Sequence, residues 1–346
     1  MFSAQIPKIN PGGFSRCEER RQKSGDGKSL SPIEKADAAL KENIYQAIWK
    51  DDVLRATDYY EVDAYVKNGV VYLNGHIISI TSQERIKNAI RTVPGILEIK
   101  NSLVLDDELT LEVAASLGKL ENTNGCKFFT GVSHGVVSLN GMVSKENVKL
   151  LAEKCAASIP NVRGVINNVR ISGGELKAHD DQPFLQPAIG ELIYFLDGIS
   201  GYVRQVIIDP DNRRVIAMTI QGRFAGQQQY LNSLVNSKTQ PLEQLVTVPM
   251  NLVRYLTRVS GFLNIQSNEI KNHMDFDPGA FFVPNKDWVP PYPYCPEDVL
   301  IPVKHQNADI QIVDQSDQSP LKQYWEIRQS GNHSLQMTAL VYNNKG

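Results

Sequence analysis

Residues 68–75 read NGVVYLNG and residues 134–141 read HGVVSLNG, identical at six of eight positions and 66 residues apart. The offset continues without a gap. TVPGILEIKNSLVL (92–105) falls over SIPNVRGVINNVRI (158–171), with Pro94 over Pro160, Asn101 over Asn167 and Leu103 over Val169. An echo of that length means that one small unit occurs twice in tandem, and any fold for this chain must accommodate both copies.

Asn-Gly beside apolar alternation is a strong hairpin signal, and NGVVYLNG contains it twice. Only the first turns the chain. Tyr60, Val62, Ala64 and Val66 alternate before it, and Val71, Leu73, Gly75 and Ile77 keep the period of two after it, in phase across the second Asn-Gly. Val137, Leu139, Gly141 and Val143 repeat the pattern. Gly75 and Gly141 are therefore in-strand glycines where another element comes close or a bulge forms. Gly69 and Gly135 sit in the turns, with Ser133-His134-Gly135 expected as a looser version of Asn68-Gly69.

Helices flank the hairpin. SPIEKADAALKENIYQAIWK has Ser31 and Glu34 at capping-box spacing, Pro32 at the first helical position, and Ile33, Ala36, Leu40, Ile44 and Ile48 on one stripe. SQERIKNAIRT presents Ile86, Ala89 and Ile90 at helical spacing and stops at Pro94-Gly95 before the strand ILEIKNSLVL. In the second copy DELTLEVAASLGKL, with Leu109, Val113, Leu117 and Leu120 inward, and KENVKLLAEKCAAS are the helices. Each unit reads α-β-β-α-β.

A turn glycine, Val-x-Leu-x-Gly-x-hydrophobic, a helix and an apolar-Pro-Gly/Asn junction leading into an Asn-bearing strand resemble the BON domain, a bacterial module often found in tandem. Gly69, Val71, Leu73, Gly75 and Asn101, with Gly135, Val137, Leu139, Gly141 and Asn167, match its motif position by position. The second copy departs at the junction, with Pro160-Asn161 for Pro94-Gly95. The resulting division is 31–106 for the first domain and 107–173 for the second.

From residue 184 the texture changes to strands separated by turns, after a polar stretch (174–183) that reads as a linker. Asp197-Gly198 and Asp209-Pro210-Asp211-Asn212 lie between apolar runs as turns. With no helical pattern between, the spacing predicts a small, mostly antiparallel barrel or sheet. Gly190, Asp197, Gly198, Gly201, Asp209 and the Val-Pro element at Pro249 occur in an order that resembles a PRC-barrel domain, within a region of 184–303 that includes a proline- and aromatic-rich extension. The fold class expected for the whole is α+β. Residues 1–30 read as a disordered arm, and 304–346 as a polar tail with a final hairpin around Ser330-Gly331-Asn332.

Composition narrows the chemistry. A net charge of −2 supplies no basic field, so no nucleic-acid partner is expected. No apolar run approaches membrane-helix length and the first 30 residues lack a signal-peptide core, which favours the cytoplasm or the inner membrane surface. Cysteines 17, 126, 155 and 295 form no Cys-x-x-Cys pair, so inert thiols are expected rather than a zinc site or disulfide framework. SGDGKS at 24–29 has the tail of a phosphate loop, but its first glycine falls on Gln22 and no strand precedes it.

No His-Glu-x-x-His, Gly-x-Ser-x-Gly or EF-hand spacing occurs. No catalytic, cofactor or metal residues are expected. His76, beside Gly75, points off the apolar face and is expected to be solvated or to cover a neighbouring ring. Tyr72, whose counterpart is Ser138, is expected as ordinary half-exposed packing. Trp288, Pro290, Pro291, Tyr292 and Tyr294 form either a recognition ridge or, more simply, packing.

The resemblances imply a non-enzymatic binding or scaffold protein tied to stress or the envelope. The BON-like domains would contact phospholipid surfaces and the barrel a protein partner. The alternatives are a small-ligand carrier or enzyme with an interdomain site, and an RNA-maturation-type adaptor.

Overall fold

Ser31 caps the first helix as the sequence predicts: its hydroxyl accepts from the Glu34 amide while the Glu34 carboxylate accepts from the Ser31 amide. In the computed structural model, the described residues are 31–173, 184–224, 243–257, 260–270, 277–285 and 287–303. The expected arm, linker, polar tail and terminal hairpin lie outside them. The chain divides into two compact units. The first holds the described residues up to Gly173 together with Asp211–Arg213 and Val289–Cys295; the second holds the remainder.

In the first unit, α1 (Pro32–Trp49) and a short α2 (Asp52–Thr57) precede β1 (Val62–Lys67), β2 (Val70–Ile77), α3 (Ile80–Arg91) and β3 (Glu98–Leu105). The second copy follows at once as α4 (Asp106–Asn124), β4 (Lys127–Ser133), β5 (Val136–Val143), α5 (Glu146–Ala157), β6 (Gly164–Asn167) and β7 (Arg170–Ile171). Each copy is an antiparallel hairpin with a parallel third strand on its second strand, covered on one face by helices. Leu40, Ile44, Ile48, Ile86 and Ile90 pack on Val62, Ala64, Val71 and Leu73 in the first core. Leu109, Val113, Leu117 and Ala152 pack on Val137, Leu139 and Val165 in the second.

Four details differ from the expectations. Ile33 and Ala36 are exposed, so the inward stripe of α1 begins only at Leu40. Tyr60 belongs to a turn, because α2 intervenes before the strand; its N-cap Asp51 accepts from the amides of Val53 and Leu54. His134-Gly135 is no looser than Asn68-Gly69. Both pairs carry two successive positive φ angles, 51° and 75° in the first copy, 48° and 77° in the second, the type I′ pattern of a two-residue hairpin. Asn161 takes the left-handed conformation (φ 68°) that Gly95 takes (φ 93°), so the two junctions also match.

The second unit contains β8 (Leu192–Tyr194), β9 (Ser200–Asp209), β10 (Arg214–Gly222), β11 (Gln244–Pro249), β12 (Val253–Leu256), β13 (Ser260–Leu263), a short α6 (Ser267–Ile270), β14 (Phe281–Phe282) and β15 (Val299–Pro302). The strand order is β11-β10-β9-β8-β13-β12, with β15 also pairing β9 and β14 pairing β15. Two of these pairings, β8 with β13 and β9 with β15, are parallel, so the sheet is mixed to that extent. Ile207, Ile216, Ala217 and Leu300 form a buried cluster, and Tyr194, Phe262 and Tyr255 stack in a row across the sheet. Cys126 and Cys155 are free thiols, but Cys295 is disulfide-bonded, which corrects the expectation of inert thiols throughout.

Candidate functional site

The first unit's polar groups converge where the second repeat meets the helix-free face of the first repeat's sheet. On that face β2 presents His76 and β3 presents Val104, which packs against the second core. The His76 ring is only 2% exposed and its Nε2 lies 2.7 Å from the Asn161 carbonyl oxygen. Tyr292 meets it edge-on at 5.8 Å. Burial, with the charge of Arg163 beside it and His134 nearby, holds its pKa down at about 3, so the ring is neutral. The solvated alternative for His76 is thereby overturned, and the ring-covering one holds.

Arg163 fastens the same seam. Its Nη1 donates to Glu61 Oε2 at 2.8 Å and to the His134 carbonyl at 2.9 Å, and its Nε donates to the Tyr292 carbonyl at 3.2 Å. Beneath it, Asp106 at the start of α4 accepts from the amides of both His134 and Gly135. Burial pushes the Asp106 carboxyl above its ordinary value, against the lowering effect of those two amides. In the first repeat Asp37 caps the Asn68-Gly69 turn in the same way. Neither aspartate stands out in the sequence, because the helix-to-turn separation differs between copies and breaks the 66-residue offset.

Two grooves open on this unit. One, of about 540 Å³, runs between α3 and β3, floored by Ile86, Ile90 and Ile99 and rimmed by Lys87, Arg91 and Leu97. The second repeat bridges the matching place: Asn167 Nδ2 donates to the Lys149 carbonyl and to Glu153 Oε2 of α5. The other groove, of about 320 Å³, is lined by His76, Ser102, Glu108, Glu112, Arg213 and Tyr292. Desolvation lowers the Arg213 pKa to about 10, which still leaves it cationic at neutral pH.

A third feature lies at the end of α1. Trp49, Tyr59 and Tyr60 form an edge-to-face cluster, with Trp49–Tyr59 and Tyr59–Tyr60 centroids both 4.9 Å apart. Arg55 lies over the Trp49 ring at 5.4 Å and also donates to the Trp49 carbonyl. Trp49 and Tyr60 remain 42% and 52% exposed, with Val53 exposed beside them. This arrangement was missed in the sequence because α2, which folds these rings together, was not anticipated.

The motif residues shape the backbone and fill the cores. A Cβ on Gly75 would lie 1.9 Å from the Glu61 carbonyl oxygen, and one on Gly141 would lie 2.5 Å from that of Lys127. Their φ angles of 118° and 146° suit glycine alone. Val71, Leu73, Val137 and Leu139 are buried in the two cores. Asn101 and Asn167 each accept from the amide two residues on, at Leu103 and Val169. In the second unit Gly190 and Gly198 have positive φ, and Gly201 faces Ile220 and the Gln221 carbonyl across the strand pair. Asp197 accepts from the Ile199 amide and from the Ser267 hydroxyl, tying its turn to α6. Asp209 is buried at the end of β9 and Pro249 ends β11. Tyr72 is half-buried, tilted against Tyr65 and beneath Lys100. Pro290, Pro291 and Tyr294 are buried, so this part of the aromatic run packs. Among the described residues no three His, Cys, Asp or Glu side chains are grouped to hold a metal ion.

Comparison with known proteins agrees with the repeat. The BON domain family model matches residues 36–107 and 105–173, so the first unit carries two BON domains in tandem. No curated protein matches the chain. Among solved structures the chain is similar to CdsD, a structural protein of the Type III secretion system of Chlamydia trachomatis, at 13% identity and a TM-score of 0.34, covering 40% of this chain and 65% of that one. It is also similar to the C-terminal domain of CdsD, at 12% identity and a TM-score of 0.33, covering 42% and 69%. No helix among the described residues is long and apolar enough to cross a membrane.

Proposed function

We propose that this chain is a non-enzymatic binding or scaffold protein whose first BON domain touches a phospholipid surface and whose second unit, a PRC-barrel-like module, docks a protein partner. The exposed Trp49–Tyr59–Tyr60 cluster carries the lipid reading. Trp and Tyr suit the boundary between headgroups and acyl chains, since each has an apolar body and a polar tip. Val53 adds an aliphatic contact, while Arg55 and Lys50 stand opposite Asp51 and Asp52, so little net charge is offered. Burying the exposed parts of the two rings, roughly 200 Å² at about 25 cal/mol per Å², contributes about 5 kcal/mol before ordering costs. That magnitude suits reversible contact strengthened by avidity rather than stable anchoring. The barrel reading rests on the order of its turn residues and on the Val-Pro element at the end of β11. A role in envelope or osmotic stress is what the family resemblance adds.

Co-sedimentation of the full chain with phosphatidylcholine vesicles, with and without phosphatidylglycerol, tests the lipid contact. Wild type should pellet with both compositions and differ little between them. Trp49→Ala and Tyr60→Ala should each lower partitioning by about tenfold, the equivalent of ~1.4 kcal/mol. Wild-type protein that stays in the supernatant, or a double variant that pellets as well as wild type, would sink the proposal.

A further inference from the structure

The contact between the two repeats supplies a template for a contact between two copies of the chain. Within one chain, the helix-free sheet face of the first repeat receives the turn edge of the second. His76 and Glu61 on the receiving side meet Gly135, the Asn161 carbonyl and Arg163 on the inserting side. The approach is close: a Cβ on Gly135 would fall 2.5 Å from the His76 ring and 2.9 Å from Arg163.

Moving each side by the 66-residue offset gives two surfaces with no such partner among the described residues. On the receiving side, His76 becomes Met142, Asp63 becomes Phe129 and Glu61 becomes Lys127. The strand registers confirm the equivalence, since Val62 pairs with Gly75 as Phe128 pairs with Gly141. On the inserting side, Gly135 becomes Gly69, Asn161 becomes Gly95 and Arg163 becomes Leu97. The backbone of that edge is also the same: the Leu97 amide donates to the Gly69 carbonyl as the Arg163 amide donates to the Gly135 carbonyl.

The chemistry of the two free surfaces is complementary. Where the internal seam is polar, the counterparts of Arg163, Asp63 and His76 are apolar and open: Leu97 is 79% exposed, Phe129 68% and Met142 60%. A Cβ on Gly95 would meet nothing within 4 Å, so the inserting edge is uncovered. Phe129 and Met142 are diagonal neighbours on one sheet face, a pair of side chains that can straddle one inserted leucine. The internal ion pair has no equivalent here, since Leu97 stands for Arg163 and Lys127 for Glu61; Lys127 is exposed at the start of β4, where its ammonium stays in water while its stem lies along the apolar face.

We infer that copies of this chain associate head to tail, with Leu97 and the Gly69 turn of one copy seated on the Phe129–Met142 face of the next. The occupant of that face is a second copy of this chain. Because the two surfaces differ, the contact is heterologous, and growth continues or closes into a ring rather than stopping at a two-fold dimer. The interface is small and its affinity low. The inference is independent of the lipid reading, and its test contains no lipid.

Sedimentation velocity and mass photometry of the full chain over a concentration series read the association directly. Wild type should show a weight-average mass that rises with concentration through dimer and beyond. Leu97→Asp and Met142→Asp each spoil one surface at an exposed position, and each alone should remain monomeric at high micromolar concentration. Mixed together they should recover a 1:1 dimer and nothing larger, because each still carries the surface that the other needs. That recovery also shows that both variants are folded. A wild type that stays monomeric at high micromolar concentration, a single variant that still self-associates, or a mixture that yields no dimer would overturn the inference.

Discussion

His76 shows how one residue couples the tandem arrangement to pH. Its pKa in the folded chain is about 3 against an ordinary 6.5, because burial and the neighbouring Arg163 charge disfavour the imidazolium. The unfolded chain takes up that proton below about pH 6.5 while the folded chain does not until about pH 3. Stability from this residue is therefore complete above pH 6.5 and declines as the pH falls toward 3, at up to about 1.4 kcal/mol per pH unit. Asp106 acts with the opposite sign, since burial raises its pKa and lets the folded chain hold a proton more readily. The window between pH 6.5 and 5.5 reads the histidine through the difference between wild type and a variant that lacks the imidazole. Urea unfolding should show a loss of about 1 kcal/mol across it, and His76→Gln, which keeps a donor toward the Asn161 carbonyl, should remove most of that loss. Equal pH dependence in the two proteins would mean that the imidazole is not buried in a neutral state.

At the level of elements, the two turns are held from outside the hairpin by the aspartates that begin or line the preceding helices. Asp106 serves amides that are buried or partly buried, whereas Asp37 serves amides nearer solvent. An orphaned buried amide costs about 1–3 kcal/mol, and a solvated one much less. Asp106→Ala should therefore destabilise by about 2–4 kcal/mol and Asp37→Ala by about 1 kcal/mol, read from urea midpoints of the full chain. Equal losses would show that the amides, not their burial, set the cost. The strands and the long helices were legible in the sequence because periodicity reports burial directly: Val71, Leu73, Val137 and Leu139 lie where alternation places them. The seam was not. It depends on His76, Arg163 and Glu61, far apart in the chain and unlike their offset counterparts Met142, Leu97 and Lys127, so the repeat that revealed the fold concealed the contact between its copies. The short α2 escaped for a simpler reason, since six residues opened by Asp51 are too few to show a helical stripe.

At the scale of the whole molecule, the disulfide at Cys295 bears on the compartment in which the chain works. A structural disulfide is rare in a reducing compartment and persists in an oxidising one. The bonded state of Cys295, beside free thiols at Cys126 and Cys155, favours an oxidising one. A membrane-surface scaffold is compatible with either side of a bilayer, so the thiols discriminate where the fold does not. Alkylation of the unfolded, unreduced chain with iodoacetamide, followed by peptide mapping, should label Cys126 and Cys155 fully and spare Cys295 until a reductant is added. Protein extracted from its native host under acid quench should give the same pattern if it folds and works in an oxidising compartment. If Cys295 is labelled without reductant in the extracted protein but not in the air-oxidised purified one, the bond forms only after lysis and the chain works in a reducing compartment. If it is labelled in both, the disulfide is absent from the folded chain altogether.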